Sequence, residues 1–300
     1  MKEKEQINFI ENGILILAPA KINLWLLIAG KRPDGFHEIE TCMAKVNWYD
    51  EILIQKANSS GIELVCNGPY WAPDGPDNLV YKAAEMLMEK CNLKESIKIT
   101  LTKNIPAGTG LGSASSDAAA TLIGLNNLLK TGLDNKSLSQ IAAKLGSDVA
   151  FFLDGPLALC TGKGEKIQIL DKKFPFLAIL ILPDISVSTK MVYENYRHNS
   201  SLYNQLNLQI EENIRKNRID LAAKVCANML ETSTFGLNKE LAELKEKVKM
   251  LNIGPCCMSG SGSTFFCLVE SGDEALASEY QRLIEEEIGC KSFIVSNNRW

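Results

Sequence analysis

The chain has 300 residues, 46% of them hydrophobic and 23% charged, with a formal net charge of -4. That composition supports a full core and excludes the disordered and collagen-like classes, while the acidic balance without a charge block argues against a nucleic-acid partner. No stretch approaches the ~20 apolar residues of a membrane helix, and the start lacks a signal-peptide pattern, so a cytoplasmic location without a membrane partner is expected.

In chain order, residues 14–17 and 22–28 read as two β-rich runs separated by Ala18-Pro19-Ala20-Lys21. A proline there marks a strand edge or bulge, where a side chain can be re-aimed. Residues 30–35 form a turn cluster, and 41–48, 51–55 and 62–66 read as strands. Residues 78–90 are helical, because Val80, Ala83, Ala84 and Leu87 follow the i, i+3, i+4, i+7 spacing. A strand at 97–101 leads into a glycine-rich segment, then helices at 116–130 and 137–145, the latter stopped by Gly146 as a left-handed cap. Beyond Lys166 the texture changes, which puts a domain boundary near 165–175. A strand at 176–182, a short helix at 189–196, helical stretches at 219–230 and 239–250, and a glycine/serine turn at 256–263 follow. Strands at 265–269 and 292–295 flank a last helix at 274–287.

The nine cysteines include no C-x-x-C pair and the histidines number two, so no metal site is expected, and most of the cysteines, Cys160 and Cys267 among them, read as small buried hydrophobes.

The strongest chemical signal is Pro106-Ala107-Gly108-Thr109-Gly110-Leu111-Gly112-Ser113-Ala114-Ser115-Ser116-Asp117. Glycines at alternate positions free the backbone to form a nest of N–H groups, and the following helix points its N-terminal dipole at the same place. Ser115 and Ser116 add hydroxyls suited to phosphate oxygens or magnesium. A capped strand-to-helix turn would share the glycines, but not the paired serines. The segment is neither a P-loop, since no lysine follows the glycines, nor a Rossmann turn, since the third glycine is misplaced. It predicts phosphate binding.

Asp148, in Gly146-Ser147-Asp148, precedes the apolar residues 149–153 and is either a partly desolvated base or an N-cap. Lys21, among alanines and Ile22, needs a partner or a ligand unless it snorkels to the surface, and Asn23 shares its strand face. Phe36 and His37 offer a stacking face and ring donors for a base edge, or are a loop histidine beside an aromatic. Ser259-Gly260-Ser261-Gly262 is a second glycine turn, equally readable as a hairpin loop.

These segments resemble the superfamily of galactokinase, homoserine, mevalonate and phosphomevalonate kinases. The segments that carry the resemblance are 18–24, 30–37, 106–119, 145–148 and 259–262, which between them sample nearly the whole chain. Pro19-Ala20-Lys21-Ile22-Asn23 and the turn ending in Phe36-His37 resemble most the branch that acts on a cytidine-diphosphate-linked alcohol in non-mevalonate isoprenoid synthesis. The resemblance implies an α+β fold of two domains: an N-terminal domain like ribosomal protein S5, over 1–168, holding ATP and the catalytic pair, and a ferredoxin-like C-terminal domain, over 169–300, completing the cleft. It implies ATP and Mg2+ as cofactors, the small alcohol as the other partner, and a monomer or weak homodimer.

It also implies residue roles. Asp148 takes the proton from the substrate's 2-hydroxyl, while Lys21 orients that aspartate, lowers its pKa and steadies the moving phosphoryl group. The loop from Pro106 to Ser116 holds ATP, with Lys103 and Asn78 also at the nucleotide. Phe36 stacks on cytosine, His37 bonds it, Tyr193 stacks on its other face, and Asn23 and Thr189 contact substrate. This chain departs from the resemblance at Ser113-Ala114, where glycines are usual, at Ala150 for proline, at Pro156 for glycine and at Phe36 for tyrosine. A sister kinase acting on another alcohol, or a silent nucleotide-binding relative, are the competing readings. The first does not account for Phe36-His37, nor the second for an intact Lys21 and Asp148.

Overall fold

Pro19 bends the first apolar run and does not end it. In the computed structural model, which describes residues 5–58, 61–170, 174–269, 272–298 and 300, the two runs expected at 14–17 and 22–28 are one strand. The chain begins with β1 (Ile7–Ile10), β2 (Gly13–Lys31), β3 (His37–Lys56) and β4 (Ile62–Asn67). It continues with α1 (Leu79–Lys90), β5 (Ile97–Thr102), α2 (Ser113–Leu128), α3 (Asn135–Leu145), β6 (Leu157–Gly162) and β7 (Lys166–Ile169). The second half runs β8 (Leu177–Leu182), α4 (Thr189–Asn195), α5 (Ser200–Arg215), α6 (Ile219–Lys224), α7 (Glu231–Leu237), α8 (Lys239–Met250), β9 (Cys256–Met258), β10 (Phe265–Val269), α9 (Glu274–Leu283) and β11 (Lys291–Ser296).

The first sheet has the order β1-β2-β3-β5-β4, with β6 on the other half of β3 and β7 beside it. Strands β2 and β3 pair along nearly their whole length, with register shifts at Pro19/Ala20, Asn23/Trp25 and Ile28/Gly30. The predicted bulge at Pro19 is thus present, inside a continuous strand. The second sheet, β11-β8-β10-β9, is antiparallel throughout. Its order is that of a ferredoxin-like β-α-β-β-α-β unit.

Strand β2 serves two cores, which explains its unbroken hydrophobicity. Ile14, Ile16 and Ala18 pack with Val80 and Leu87 of α1, Leu122 and Leu125 of α2, and Ile141 of α3. Ile22, Leu24 and Leu26 pack with Ile179 and Ile181 of β8 and Phe265 and Phe266 of β10. A strand buried on both faces reads as a continuous apolar run, and each such side chain stabilises the fold by roughly 1.5–3 kcal/mol. The first register shift, at Pro19/Ala20, falls where β2 passes from one core to the other.

Several boundaries differ from the sequence expectation. Helix α2 starts at Ser113, three residues early, because Gly112 takes the left-handed N-cap conformation. Gly146 is extended (φ 172°), not left-handed; its N–H still closes α3 on the Ala142 carbonyl. The helix expected at 219–230 is cut after α6, where Cys226 has φ 52° and a loop docks on β2. Helix α5 is absent from the sequence expectation, although Tyr203, Leu206, Ile210 and Ile214 stand at helical spacing and pack on the second core. Cys226 and Cys257 are joined as a disulfide, a pairing that the sequence reading did not include.

Candidate active site

The bent part of β2 delivers Lys21 to the floor of a cleft of about 300 Å³. The Lys21 backbone N–H donates to the Leu111 carbonyl (2.9 Å), which seats the glycine loop directly on the strand. Two glycines make this contact possible. Gly112 has φ 70°, and a Cβ there would lie 2.9 Å from Phe152 and 3.0 Å from the Lys21 side chain. Gly110 has φ 80°, and a Cβ there would lie 2.0 Å from the Ser259 carbonyl oxygen. The second glycine turn therefore rests on the first, and Ser259 Oγ donates to the Gly110 carbonyl (2.9 Å).

Lys21 is 3% exposed. Its ammonium donates to Asn23 Oδ1 (2.6 Å) and stands 3.8 Å from Asp148 Oδ2. Burial pulls its pKa below the usual lysine value, against the opposing pull of Asp148. Asn23 is fixed in turn, donating to Thr41 Oγ1 (2.8 Å), which donates to the Trp25 carbonyl (2.6 Å). The strand alternation predicted for Lys21 and Asn23 is what places them together.

Asp148 leaves α3 through Gly146 and Ser147 and remains 30% exposed. The turn after it, 150–153, sinks Phe151 and Phe152 into the core. Lys45, 1% exposed, donates to the carbonyls of Phe152 (3.2 Å) and Asp154 (2.5 Å) at the end of that turn. A buried cation, a carboxylate open to the cleft and a nest of backbone N–H groups can together hold a polyanion and take a proton from a hydroxyl.

The other predicted residues divide. Ala107, Gly108, Gly110, Gly112, Ser113, Ala114 and Ser115 line the cleft with Lys21, Asn23, Asp148, Thr189 and Tyr193. Pro106, Thr109, Leu111 and Ser116 form the loop's back: Thr109 Oγ1 bonds the Pro106 carbonyl (3.0 Å), Leu111 is fully buried, and Ser116 Oγ is buried without a partner. Adjacent helical residues diverge by about 100°, so Ser115 faces the cleft and Ser116 the interior. The departure at Ser113-Ala114 does not strain the loop, since both residues are already helical.

Lys103 and Asn78 are not on the cleft wall. Lys103 is 2% exposed and its ammonium is held by Asp50 (2.5 Å), Asp117 (2.7 Å) and Ser113 Oγ. Asn78 caps α1 through Val80 N–H (2.9 Å) and donates to the Pro73 carbonyl (2.8 Å). Each polar group has partners within the protein.

Phe36 and His37 do not line the cleft; they lie at its mouth, beside the lining residues Lys163 and Tyr193. Phe36 is 56% exposed, with Lys163 Nζ 4.2 Å from its ring centre and the same ammonium 3.5 Å from Asp34. The His37 ring lies 5.5 Å from Tyr193 and 5.4 Å from Tyr196. Burial lowers its pKa, helped by Lys31 and His198. Thr189 Oγ1 is 2.8 Å from Ser261 Oγ, tying α4 to the second glycine turn.

Sequence reading missed Lys163, whose signal was a lysine between two glycines, and Asn228. Asn228 Nδ2 donates to the carbonyls of Met258 and Gly260 (2.8 Å each), clamping the second turn. Nothing in its local sequence marks it.

The GHMP kinases N terminal domain matches residues 78–156 and the GHMP kinases C terminal domain matches 210–283. Fold and cleft together are those of a GHMP kinase, a phosphotransferase acting on an alcohol. The 4-diphosphocytidyl-2-C-methyl-D-erythritol kinase of Bacillus cereus (strain B4264) is 39% identical over 256 residues, covering 85% of this chain and 88% of its own. The enzyme of that name from Citrifermentans bemidjiense is 40% identical over 263 residues, covering 87% and 91%. A crystal structure of 4-(cytidine 5'-diphospho)-2C-methyl-D-erythritol kinase superposes with a TM-score of 0.75 at 31% identity, covering 95% of this chain and 100% of that one. A homoserine kinase from Cytophaga hutchinsonii shares the fold (TM-score 0.76, 21% identity, 97% and 96% covered). The chain belongs to the 4-diphosphocytidyl-2-C-methyl-D-erythritol kinase family.

Proposed function

We propose that the chain transfers the γ-phosphoryl group of ATP to the 2-hydroxyl of 4-diphosphocytidyl-2-C-methyl-D-erythritol. The observation that carries this reading is Lys21 and Asp148, 3.8 Å apart, facing the glycine loop across one cleft. Asp148 accepts the hydroxyl proton as the alcohol oxygen bonds to the γ-phosphorus, the bridging P–O bond breaks and ADP leaves. Lys21 holds the carboxylate in place and offsets charge on the phosphoryl oxygens. Phosphoryl transfer depends mainly on such positioning and electrostatics. The N–H groups of 107–112 and the start of α2 bind the phosphates.

Magnesium fits the donor set. It takes one or two protein oxygens and otherwise phosphates and water, and the Ser115 hydroxyl on the cleft wall is an oxygen of that kind. Among the described residues no three His, Cys, Asp or Glu side chains converge as a dedicated cage. Bound there, magnesium would neutralise charge on the β- and γ-phosphates.

Phe36, His37 and Tyr193 supply aromatic and ring-nitrogen contacts for cytosine, with Asn23 and Thr189 nearer the reacting end. In this reading residues 1–168 carry ATP and 169–300 complete the cleft, in a cytoplasmic monomer or weak homodimer. Among the described residues no helix is long and apolar enough to cross a membrane.

The test is ATP consumption by the wild-type protein with the diphosphocytidyl acceptor, with homoserine and with mevalonate. Turnover is expected with the first alone; turnover only with another alcohol would overturn the substrate assignment.

A further inference from the structure

Asp50, Lys103 and Asp117 lie beneath the glycine loop and off the cleft wall, and their contacts reach the loop at both ends. We propose that Asp50 is a positioning residue for ATP, closing the loop between β5 and α2 from the half of β3 beyond the cleft-lining Ile39, Thr41 and Met43. This rests on the kinase reading and extends it to what preorganises the phosphate nest.

Asp50 lies in β3 and is fully buried. Its Oδ1 accepts the backbone N–H groups of Asn104 (2.5 Å) and Ile105 (2.8 Å), where the loop begins. Its Oδ2 accepts from Ser113 Oγ (2.9 Å), where the loop ends and α2 starts, and from Lys103 (2.5 Å). Lys103 also reaches Asp117 in the second turn of α2 (2.7 Å), so the same cation ties strand to helix. Ser113 Oγ lies 3.4 Å from the Ile105 carbonyl, which brings the two ends of the loop within reach of each other.

A carboxylate with each oxygen accepting two donors is saturated, and all of its partners are protein groups. Asp50 is therefore not arranged to bind a ligand. What it holds is the spacing of the loop's ends, and with it the convergence of the loop's N–H groups. Backbone donors fixed before the ligand arrives bind it more tightly than donors that must be ordered. Ser113 stands where glycine is usual by resemblance. Its side chain supplies the contact at the helix end, so the closure is tighter in this chain than a glycine there allows.

The experiment measures kcat, KM for ATP, KM for the diphosphocytidyl acceptor and the melting temperature of wild type, Asp50→Asn, Ser113→Ala and the double variant. Each single variant is expected to raise KM for ATP about ten-fold, the loss of one hydrogen bond to a charged group. The acceptor KM should stay within about two-fold. Because both changes break the Asp50–Ser113 contact, the double variant should fall short of the product of the singles. A folded Ser113→Ala with unchanged KM for ATP, or strictly multiplicative effects, would overturn the proposal and leave the cluster a stabilising one only. If Asp50→Asn does not fold, Ser113→Ala decides. If wild type binds ATP but does not phosphorylate the acceptor, the kinase reading fails while the same comparison is made on Kd for ATP. Absence of ATP binding overturns both.

Discussion

Lys21 and Lys103 lie on opposite sides of the same glycine loop, both buried, with different company. Lys103 has two carboxylates and a hydroxyl within bonding distance, and their charge outweighs burial, so its pKa rises. Lys21 has one amide and one carboxylate, the latter at 3.8 Å, and there burial wins and the pKa falls. A saturated lysine holds structure together. An under-partnered one beside an open cleft keeps capacity for an incoming anion. The carboxylates follow the same division: Asp117 is enclosed and burial pushes its pKa well up, while Asp148 opens to solvent.

The largest expected effect lies on the Lys21 side. Asp148→Asn keeps the shape and removes the proton acceptor, so kcat should fall by roughly 10²–10⁴-fold with the melting temperature little changed. Turnover within ten-fold of wild type would remove Asp148 from the role of base.

On the other side the effect should be on stability. Lys103→Met leaves Asp50 and Asp117 buried without their cation, and breaking such a pair costs about 3–5 kcal/mol. Urea denaturation reads this directly; an unchanged midpoint would mean the cluster is not the anchor described.

At the cleft mouth, Phe36→Ala should raise the acceptor KM about ten-fold, the scale of one lost base stack, and leave KM for ATP alone. Equal shifts in both constants would place Phe36 outside the acceptor subsite.

Lys45 gives the finest test. Burial brings its pKa from 10.5 down to about 7, against the pull of Asp154. Below pH 7 both folded and unfolded chains hold the proton and the full burial penalty applies. Between the two values the unfolded chain binds more protons, so this group's contribution to stability rises with pH, by at most about 1.4 kcal/mol per unit. The stability gap between wild type and Lys45→Met should therefore move in favour of wild type from pH 7 to pH 9. A flat gap would contradict the burial of a charged Lys45.

Much of the cleft was legible in sequence because its parts are local. The loop from Gly108 to Gly112, the Lys21–Asn23 alternation and the stop before Asp148 each follow from spacing or turn chemistry over a few residues. What was not legible depends on distant partners. Asp50 is an unremarkable acid between Tyr49 and Glu51 until the loop folds over it, and nothing local to Lys103 shows that the distant Asp50 and Asp117 hold its ammonium. The same holds for the fold. Pro19 signalled a bulge, but only the second core, packed against Ile22 and Leu26, shows why β2 runs on through it. Gly146 carried the helix stop but not its backbone conformation, whereas the spacing of Tyr203, Leu206, Ile210 and Ile214 made α5 legible and it was missed.

Lys21→Met tests the division between the two lysines most directly. It removes the ammonium from the cleft while keeping an apolar stem in the same space. Measured at saturating ATP and acceptor, kcat should fall at least about a hundred-fold, with a melting temperature equal to or above that of wild type, since a partly unpaired buried charge is lost. A kcat within ten-fold of wild type, or a loss of activity that only follows a loss of folded protein, would contradict it.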